Sequence, residues 1–184
     1  MRITGGDAKG RTLAPVKGFR VRPTSDRVRE AIFNLIGQEV RGKVLDLFAG
    51  SGVLGLEALS RGAEKAVFVD LSNQAVRLIK RNLQLCGYEK KGLAYRGDLS
   101  KGFSLRAPWA GGKYDLVFLD PPYGKGFIPS TLEVLVRGGV LAGSAVVVAE
   151  SGKGEVLPPF QGPLRMVDSR TYGDTRISIY EYEV

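Results

Sequence analysis

The chain has 184 residues, of which 27 are Lys or Arg and 19 are Asp or Glu, so its formal net charge is +8; it contains no histidine and one cysteine. These counts exclude an imidazole-based catalytic triad, a histidine metal site, an internal disulfide and a multi-cysteine zinc or iron–sulfur site. The length fits one domain. Because no apolar run approaches the roughly 20 residues that span a bilayer and no signal peptide is visible, we expect a cytoplasmic protein with no membrane partner.

The positive charge is concentrated at the amino end. Residues 1–43 hold ten Lys or Arg and four Asp or Glu, a net charge of +6, whereas residues 44–184 hold seventeen and fifteen, a net charge of +2. In the first segment, a Gly-rich basic stretch precedes a helix that Thr24, Ser25 or Asp26 can cap. We therefore divide the chain into a basic N-terminal extension, residues 1–43, and a main domain, residues 44–184.

From residue 44 onward, short apolar runs alternate with helical patterns, which is typical of a parallel sheet covered by helices. The predicted strands are 44–48, 66–70, 92–96, 116–120 and 145–150, and the predicted helices are about 53–61, 72–86 and 129–137. Cys86 lies on the apolar face of the second helix, so we expect it in the core. Two β-prone runs flank Gly173-Asp174 and predict a C-terminal antiparallel hairpin. The sequence thus predicts an α/β fold with a mostly parallel sheet of about seven strands.

The first predicted strand ends in a glycine turn with the spacing Gly50-x-Gly52-x-x-Gly55, and Asp70 follows Gly50 by twenty residues. This arrangement fits a nucleotide-binding turn whose acid accepts hydrogen bonds from ribose hydroxyls. NAD, FAD and S-adenosylmethionine all place a ribose against such an acid, so this motif alone leaves the cofactor open. The expected cofactor-binding residues around the turn and Asp70 are Phe48, Ala49, Gly50, Ser51, Gly52 and Leu71.

Two further acids indicate which cofactor binds. Asp46 lies four residues before Gly50, where its charge suits the ammonium group of a methionine moiety and repels a pyrophosphate. Asp98 follows the third strand, where it can accept a hydrogen bond from an adenine amino group, with Leu99 beside it. A role of Asp46 in capping the turn is the alternative for that residue alone. Three acids at three strand ends favour S-adenosylmethionine.

The fourth predicted strand ends in the motif Asp120-Pro121-Pro122-Tyr123. Two prolines fix the backbone and lack N–H groups, so this turn presents a stiff set of hydrogen-bond acceptors. Such acceptors suit an exocyclic amino group of a nucleobase, whose lone pair they turn toward a methyl donor, and Tyr123 can stack on the base. Direct displacement at the methyl group requires neither a histidine nor a covalent nucleophile, and we expect no metal. The alternative is an ordinary surface turn.

The chain resembles the RsmD-type family of 16S ribosomal RNA guanine-N2 methyltransferases, which are class I enzymes that depend on S-adenosylmethionine. The resemblance spans nearly the whole chain and is carried by residues 2–6, 9–11, 22–24, 27–30, 33–34, 46–55, 60–63, Asp70, Asn82, 120–123 and 172–175. It implies a Rossmann-like fold and methylation of N2 of one guanine in small-subunit ribosomal RNA. It also implies that Asp120 belongs to the catalytic motif.

The resemblance further implies that the basic N-terminal hairpin and helix lie near the RNA entrance. The residues that would bind substrate are Lys9, Arg11, Arg22, Thr24 and Asn34. The expected partner is ribosomal RNA, in the small subunit or its assembly intermediate, and we expect a monomer. Residues 100–113 match no motif, and Trp109 in that segment either stacks on a base or packs internally.

Three other functions remain open at this stage. An adenine-N6 DNA methyltransferase also uses the Asp-Pro-Pro-Tyr motif, although nothing in this short chain resembles a separate DNA-recognition domain. A nicotinamide oxidoreductase would explain the glycine turn and Asp70 but would leave Asp46 and the two prolines unexplained. A noncatalytic RNA-binding module would explain the basic N-terminal segment but not the cofactor residues.

Overall fold

The computed structural model describes residues 1–15, 25–100, 104 and 107–183. In these ranges the helices are α1 (Asp26–Ile36), α2 (Val53–Ser60), α3 (Asn73–Cys86) and α4 (Phe127–Arg137). The strands are β1 (Lys43–Leu47), β2 (Lys65–Asp70), β3 (Gly92–Arg96), β4 (Tyr114–Leu119), β5 (Leu141–Gly152), β6 (Phe160–Gln161), β7 (Leu164–Tyr172) and β8 (Thr175–Tyr182). The predicted α/β class is confirmed. No helix in the described ranges combines the length and the apolar character that a membrane span requires.

All eight strands form one sheet, in the order β3-β2-β1-β4-β5-β8-β7-β6. The five strands from β3 to β5 are parallel, and the last three are antiparallel to their neighbours. The C-terminal hairpin turns at Gly173, whose φ of 62° favours glycine. The predicted sheet is therefore confirmed. The sheet has one strand more than predicted. This additional strand is β6, which has only two residues and is therefore too short to show a periodic pattern in the sequence.

Two elements begin earlier than the sequence pattern predicts. β5 starts at Leu141 instead of residue 145, because Leu141 already pairs with Tyr114 of β4. The register between the two strands then shifts, and regular pairing resumes at Leu116 opposite Val146. α4 starts at Phe127 instead of residue 129. Pro129 then lies in the first turn, where backbone N–H groups have no partner within the helix, so the proline is tolerated there.

Helix α3 carries a polar residue on its buried face. The helix is capped by Ser72, whose Oγ accepts hydrogen bonds from two backbone N–H groups, and it ends at Gly87 with a φ of 75°. Cys86 is buried, which confirms its core position. Asn82 is fully buried, and its Nδ2 donates to the Ser51 carbonyl (3.0 Å) while its Oδ1 accepts from the Ala14 N–H (2.8 Å). This side chain joins α3 to the glycine turn and to the N-terminal segment.

The N-terminal segment folds back on itself and packs against the main sheet layer. Arg2 and Thr12 form an antiparallel bridge, and α1 is capped by Ser25, whose Oγ accepts from the Val28 N–H at 3.2 Å. The other capping candidate, Thr24, lies outside the described residues. The hairpin and α1 contribute apolar side chains to the core shared with α2 and α3: Ile3, Leu13, Val28, Ile32 and Phe33. The division of the chain after residue 43 stays a prediction.

Candidate active site

A cavity of about 510 Å³ opens at the carboxyl ends of the parallel strands. In open α/β sheets this edge is where ligands bind. Its walls include the complete Asp120–Tyr123 motif and every predicted cofactor residue except Gly52, namely Asp46, Phe48, Ala49, Gly50, Ser51, Asp70, Leu71, Asp98 and Leu99. The structure thus brings the two predicted sets of residues to one place, while their ligand contacts stay predictions.

Asp70 holds the glycine turn in shape. Its Oδ2 accepts from the Gly50 N–H and its Oδ1 from the Ser72 N–H, both at 2.9 Å. Phe48 has a φ of 60°, which among the described residues is the only positive value outside glycine and marks local backbone strain. Gly52 caps α2 at a φ of 77°, and a Cβ there would lie 3.1 Å from a side chain of α3. Gly52 therefore shapes the turn without lining the cavity.

Asp46 is a buried carboxyl group at the base of the cavity. It is 1% exposed, and its Oδ2 accepts from the Gly55 N–H at 2.9 Å, which is the capping role that the sequence left as an alternative. Burial raises the pKa of Asp46 to about 8, with a smaller contribution from the negative charge of Asp70, against the lowering effect of the Gly55 hydrogen bond. A cation bound beside Asp46 would favour its ionised form.

The third acid lies at the rim of the cavity. Asp98 is exposed, and its Oδ1 accepts hydrogen bonds from the N–H (3.0 Å) and Oγ (2.6 Å) of Ser100. Leu71 beside it is 56% exposed, whereas Leu99 is buried. An exposed leucine at a cavity mouth offers apolar surface next to a hydrogen-bond acceptor, and a flat heterocycle with an amino group requires both.

Hydrogen bonds to the C-terminal strands fix the Asp120–Tyr123 turn. The Tyr123 hydroxyl donates to Glu150 Oε1 at 2.6 Å and lies 3.0 Å from Thr175 Oγ1. Burial, followed by the hydrogen bond to Glu150, raises the pKa of the Tyr123 phenol, so it remains a donor. Glu155 Oε1 accepts from the Gly124 N–H at 2.9 Å. The motif is therefore a braced part of the cavity wall, unlike the ordinary surface turn considered from sequence.

Six residues of the cavity were not predicted from the sequence. These are Val53, Leu54, Gly97, Ser100, Phe127 and Glu150. The Phe127 ring stacks on Phe48, with centroids 5.8 Å apart and planes 10° from parallel. Glu150 is the last residue of a predicted strand, and the same strand-end rule that identified the three aspartates could have identified it. Phe127 carries no comparable signal, because it lies two residues before the predicted start of its helix and at no strand end.

The family model described as Conserved hypothetical protein 95 matches residues 1–181. The chain belongs to this family. YlbH of Bacillus subtilis is 40% identical over 182 residues, 98% of each chain. Ribosomal RNA small subunit methyltransferase D of Escherichia coli is 35% identical over 184 residues, which are 100% of this chain and 90% of that protein. The solved structure of yhhF from Escherichia coli has a TM-score of 0.85 and 29% identity, covering 100% of this chain and 98% of that one.

These matches confirm the RsmD-type resemblance and the Rossmann-like class I methyltransferase fold. The predicted substrate residues of this RsmD-type chain do not all lie together. Lys9 and Asn34 line a second groove of about 440 Å³, between the N-terminal hairpin, α1 and the end of α2. Arg11 instead donates through Nη1 to the Leu85 carbonyl, 2.7 Å away near the end of α3. Arg22 and Thr24 lie outside the described residues.

Trp109 packs inside the protein. It is 8% exposed and its ring contacts Tyr95, with centroids 5.7 Å apart. Gly97 makes this packing possible, because a Cβ at that position would lie 2.6 Å from the indole ring. Of the two roles considered from sequence, the structure therefore supports internal packing, and the indole supports the loop that carries Asp98.

Proposed function

We propose that this chain transfers a methyl group from S-adenosylmethionine to the exocyclic N2 amino group of a guanine in small-subunit ribosomal RNA. The observation that carries the proposal is the single cavity that gathers the glycine turn, the three aspartates and the Asp120–Tyr123 motif. The name of the Escherichia coli relative, Ribosomal RNA small subunit methyltransferase D, supports the class of substrate.

The donor set of the cavity fits S-adenosylmethionine. Its volume of about 510 Å³ is within the range of small-molecule sites. Asp46 would hold the ammonium group, Asp70 the ribose hydroxyls and Asp98 the adenine amino group, with Leu71 against the heterocycle. When bound, this cofactor would supply an electrophilic methyl group: the N2 lone pair would form the new N–C bond, the C–S bond would break with its electron pair on sulfur, and the proton lost from N2 would pass to solvent.

The Asp120 end of the cavity would hold the guanine. The Asp120 carboxylate and the carbonyls of the proline turn would accept hydrogen bonds from the N2 amino group and orient its lone pair. The stacked pair of Phe48 and Phe127 and the Tyr123 ring provide aromatic surface for a base that has left its helix. Positioning and stabilisation of the positive charge that develops on nitrogen would supply most of the rate.

The remaining parts of the proposal concern the RNA. The basic extension, residues 1–43, would face the RNA next to the cofactor domain, residues 44–184, and the protein would act as a monomer on the small subunit or its assembly intermediate. The same motif would also serve an adenine-N6 methyltransferase, but the names of the relatives from Bacillus subtilis and Escherichia coli refer to ribosomal RNA, which favours the RNA substrate.

Identification of the methylated nucleoside tests the proposal. Purified protein is incubated with labelled S-adenosylmethionine and either undermethylated small subunits or their free RNA, and the RNA is digested to nucleosides. We expect N2-methylguanosine. N6-methyladenosine, or no transfer to either substrate by protein that binds the cofactor, would contradict the assignment.

The variant Asp120→Ala tests the role of the catalytic motif. We expect it to retain cofactor affinity, because Asp120 is assigned to the guanine, and to lose about 100- to 1,000-fold in kcat, as removal of one preorganised electrostatic group typically does. Calorimetry with the cofactor and single-turnover methylation measure the two effects. Loss of cofactor binding in place of turnover would assign Asp120 to the cofactor instead.

A further inference from the structure

Glu150 is a second carboxylate beside Asp120. β4 and β5 run parallel with Leu119 opposite Ala149, so Asp120, directly after the end of β4, comes level with Glu150 of β5. Neighbouring strands lie about 4.8 Å apart, and residues at the same level of parallel strands point to the same face of the sheet. Both side chains line the cavity. Two acceptor groups thus lie side by side at the end assigned to the guanine.

The position of the Glu150 carboxylate is fixed. The residue is 6% exposed, and its Oε1 accepts the hydrogen bond from the Tyr123 hydroxyl at 2.6 Å. Burial, that hydrogen bond and the charges of both Glu150 and Asp120 raise the pKa of the phenol, which is consistent with both carboxylates lying near it. A buried carboxylate held in this way can discriminate between bases by their hydrogen-bonding edge.

We propose that Glu150 selects guanine by accepting a hydrogen bond from its N1–H, while Asp120 accepts from the neighbouring N2 amino group. The inference rests on the proposed function and adds the residue that determines the base. Guanine presents N1–H and N2–H donors along one edge, which match two neighbouring carboxylates. Adenine presents an unprotonated N1 beside its amino group, and this lone pair would face the lone pairs of Glu150. A buried group left unpaired in this way rejects the wrong base.

A base analogue tests this contact directly. Once wild-type protein has been used to map the acceptor guanine, the same RNA is prepared with 2-aminopurine at that position, which keeps the N2 amino group but has an unprotonated N1. We expect wild-type protein to prefer guanine by about 10- to 100-fold in kcat/KM, the loss expected when one buried polar group is left without its hydrogen-bond partner. Glu150→Gln can present an amide N–H to the unprotonated N1. It should lose a similar factor on guanine and gain on 2-aminopurine.

Two control variants separate recognition from structural support. Tyr123→Phe removes the hydrogen bond to Glu150 but keeps the carboxylate, so we expect a lower kcat with the preference for guanine retained. Glu133→Gln makes the same chemical change on the exposed face of α4, where Glu133 pairs with Arg137, and should alter neither rate nor preference. Thermal unfolding and cofactor affinity are measured for every variant.

The possible outcomes are distinct. Equal losses of Glu150→Gln on both substrates, or a wild-type preference near one, would overturn direct recognition by Glu150; the second result needs no variant and holds even if Glu150→Gln fails to fold. Absence of transfer to the guanine RNA by wild-type protein would instead overturn the proposed function. A reversed preference in Glu150→Gln supports the inference, because a residue that only braced Tyr123 would not change which base is preferred.

Discussion

Asp46 combines a structural role with the assigned role toward the cofactor. Its carboxyl group is buried and accepts the Gly55 N–H, so it fixes the start of α2. With a pKa of about 8, it is mostly protonated at neutral pH in the protein without a bound cation. The unfolded chain has lost this proton above the ordinary value of 3.8. Between pH 3.8 and about pH 8 the folded protein therefore holds a proton that the unfolded chain has lost. Over this range the free energy of unfolding falls as pH rises.

The pH dependence of cofactor affinity follows from this raised pKa. In the proposed complex the ammonium group would pair with the ionised form, so binding of S-adenosylmethionine below pH 8 would require release of the Asp46 proton. We expect the affinity to rise by up to about tenfold per pH unit between pH 5.5 and 7.5. Calorimetry in buffers of different ionisation enthalpy measures both the affinity and the proton released.

Asp46→Asn is the matched variant for this measurement. It keeps an oxygen acceptor for the Gly55 N–H but has no proton to release, so we expect weaker binding whose affinity is nearly independent of pH over the same range. A wild-type affinity that stays constant from pH 5.5 to 7.5, with no proton released, would contradict the coupling of cofactor binding to ionisation of Asp46.

At the scale of elements, α2 and α3 hold the glycine turn from two sides. Gly55 lies so close to the sheet that a Cβ there would be 2.3 Å from the Phe68 ring, so only glycine lets α2 approach β2 this closely. From the other side, Asn82 of α3 donates to the Ser51 carbonyl at 3.0 Å. The third glycine of the motif is thus explained by packing between helix and sheet, as in nucleotide-binding turns generally.

Asn82→Leu tests the polar connection through α3. The substitution leaves the buried Ala14 N–H and Ser51 carbonyl without their side-chain partner, and each such group costs about 1–3 kcal/mol. We expect a loss of roughly 2–4 kcal/mol in the free energy of unfolding, measured by urea denaturation. The matched change Gln84→Leu, on the exposed face of the same helix, should stay within about 0.5 kcal/mol of wild type. Equal effects of the two variants would contradict a structural role for the Asn82 hydrogen bonds.

Local sequence patterns predicted those site residues whose positions follow from a single strand and the turn after it. Asp46, Asp70, Asp98 and Asp120 each lie near or just after the carboxyl end of an apolar strand, and parallel strands bring such positions to one edge of the sheet. The partners of Asn82 could not be predicted in the same way, because Ala14 and Ser51 lie 68 and 31 residues away in the chain.

The importance of Glu150 likewise depends on the order of strands in the sheet. β4 and β5 are neighbours, and this adjacency places Glu150 beside Asp120. No local pattern in one sequence specifies which strands become neighbours. The exact starts of α4 and β5 depend on a first-turn proline and on an irregular pairing, which are also matters of tertiary context.

At the scale of the whole molecule, the N-terminal extension packs into the common core, whereas part of its positive charge lies on the surface. The N-terminal hairpin and α1 share the core of the main sheet layer, so the extension is packed as part of the same body. Its charge, by contrast, faces outward in part. Lys9 lines the second groove together with Arg61, whose Nε lies 3.3 Å from buried Glu57 and whose charge is therefore partly balanced. Lys9 is the less constrained cation for a phosphate group.

The salt dependence of RNA binding tests whether this face contacts the RNA backbone. Each lost phosphate contact should lower the slope of log affinity against log salt by about 0.7–0.9. We expect Lys9→Glu to weaken binding to small-subunit RNA and to flatten that slope, and Arg11→Glu to do the same while also losing its hydrogen bond to the Leu85 carbonyl. Lys65→Glu makes the same change in charge at the amino end of β2, the opposite edge of the sheet from the cavity, and should leave the slope unchanged. If Lys65→Glu reduced affinity and slope as much as Lys9→Glu, net charge alone would explain the binding, and the N-terminal face would have no specific role.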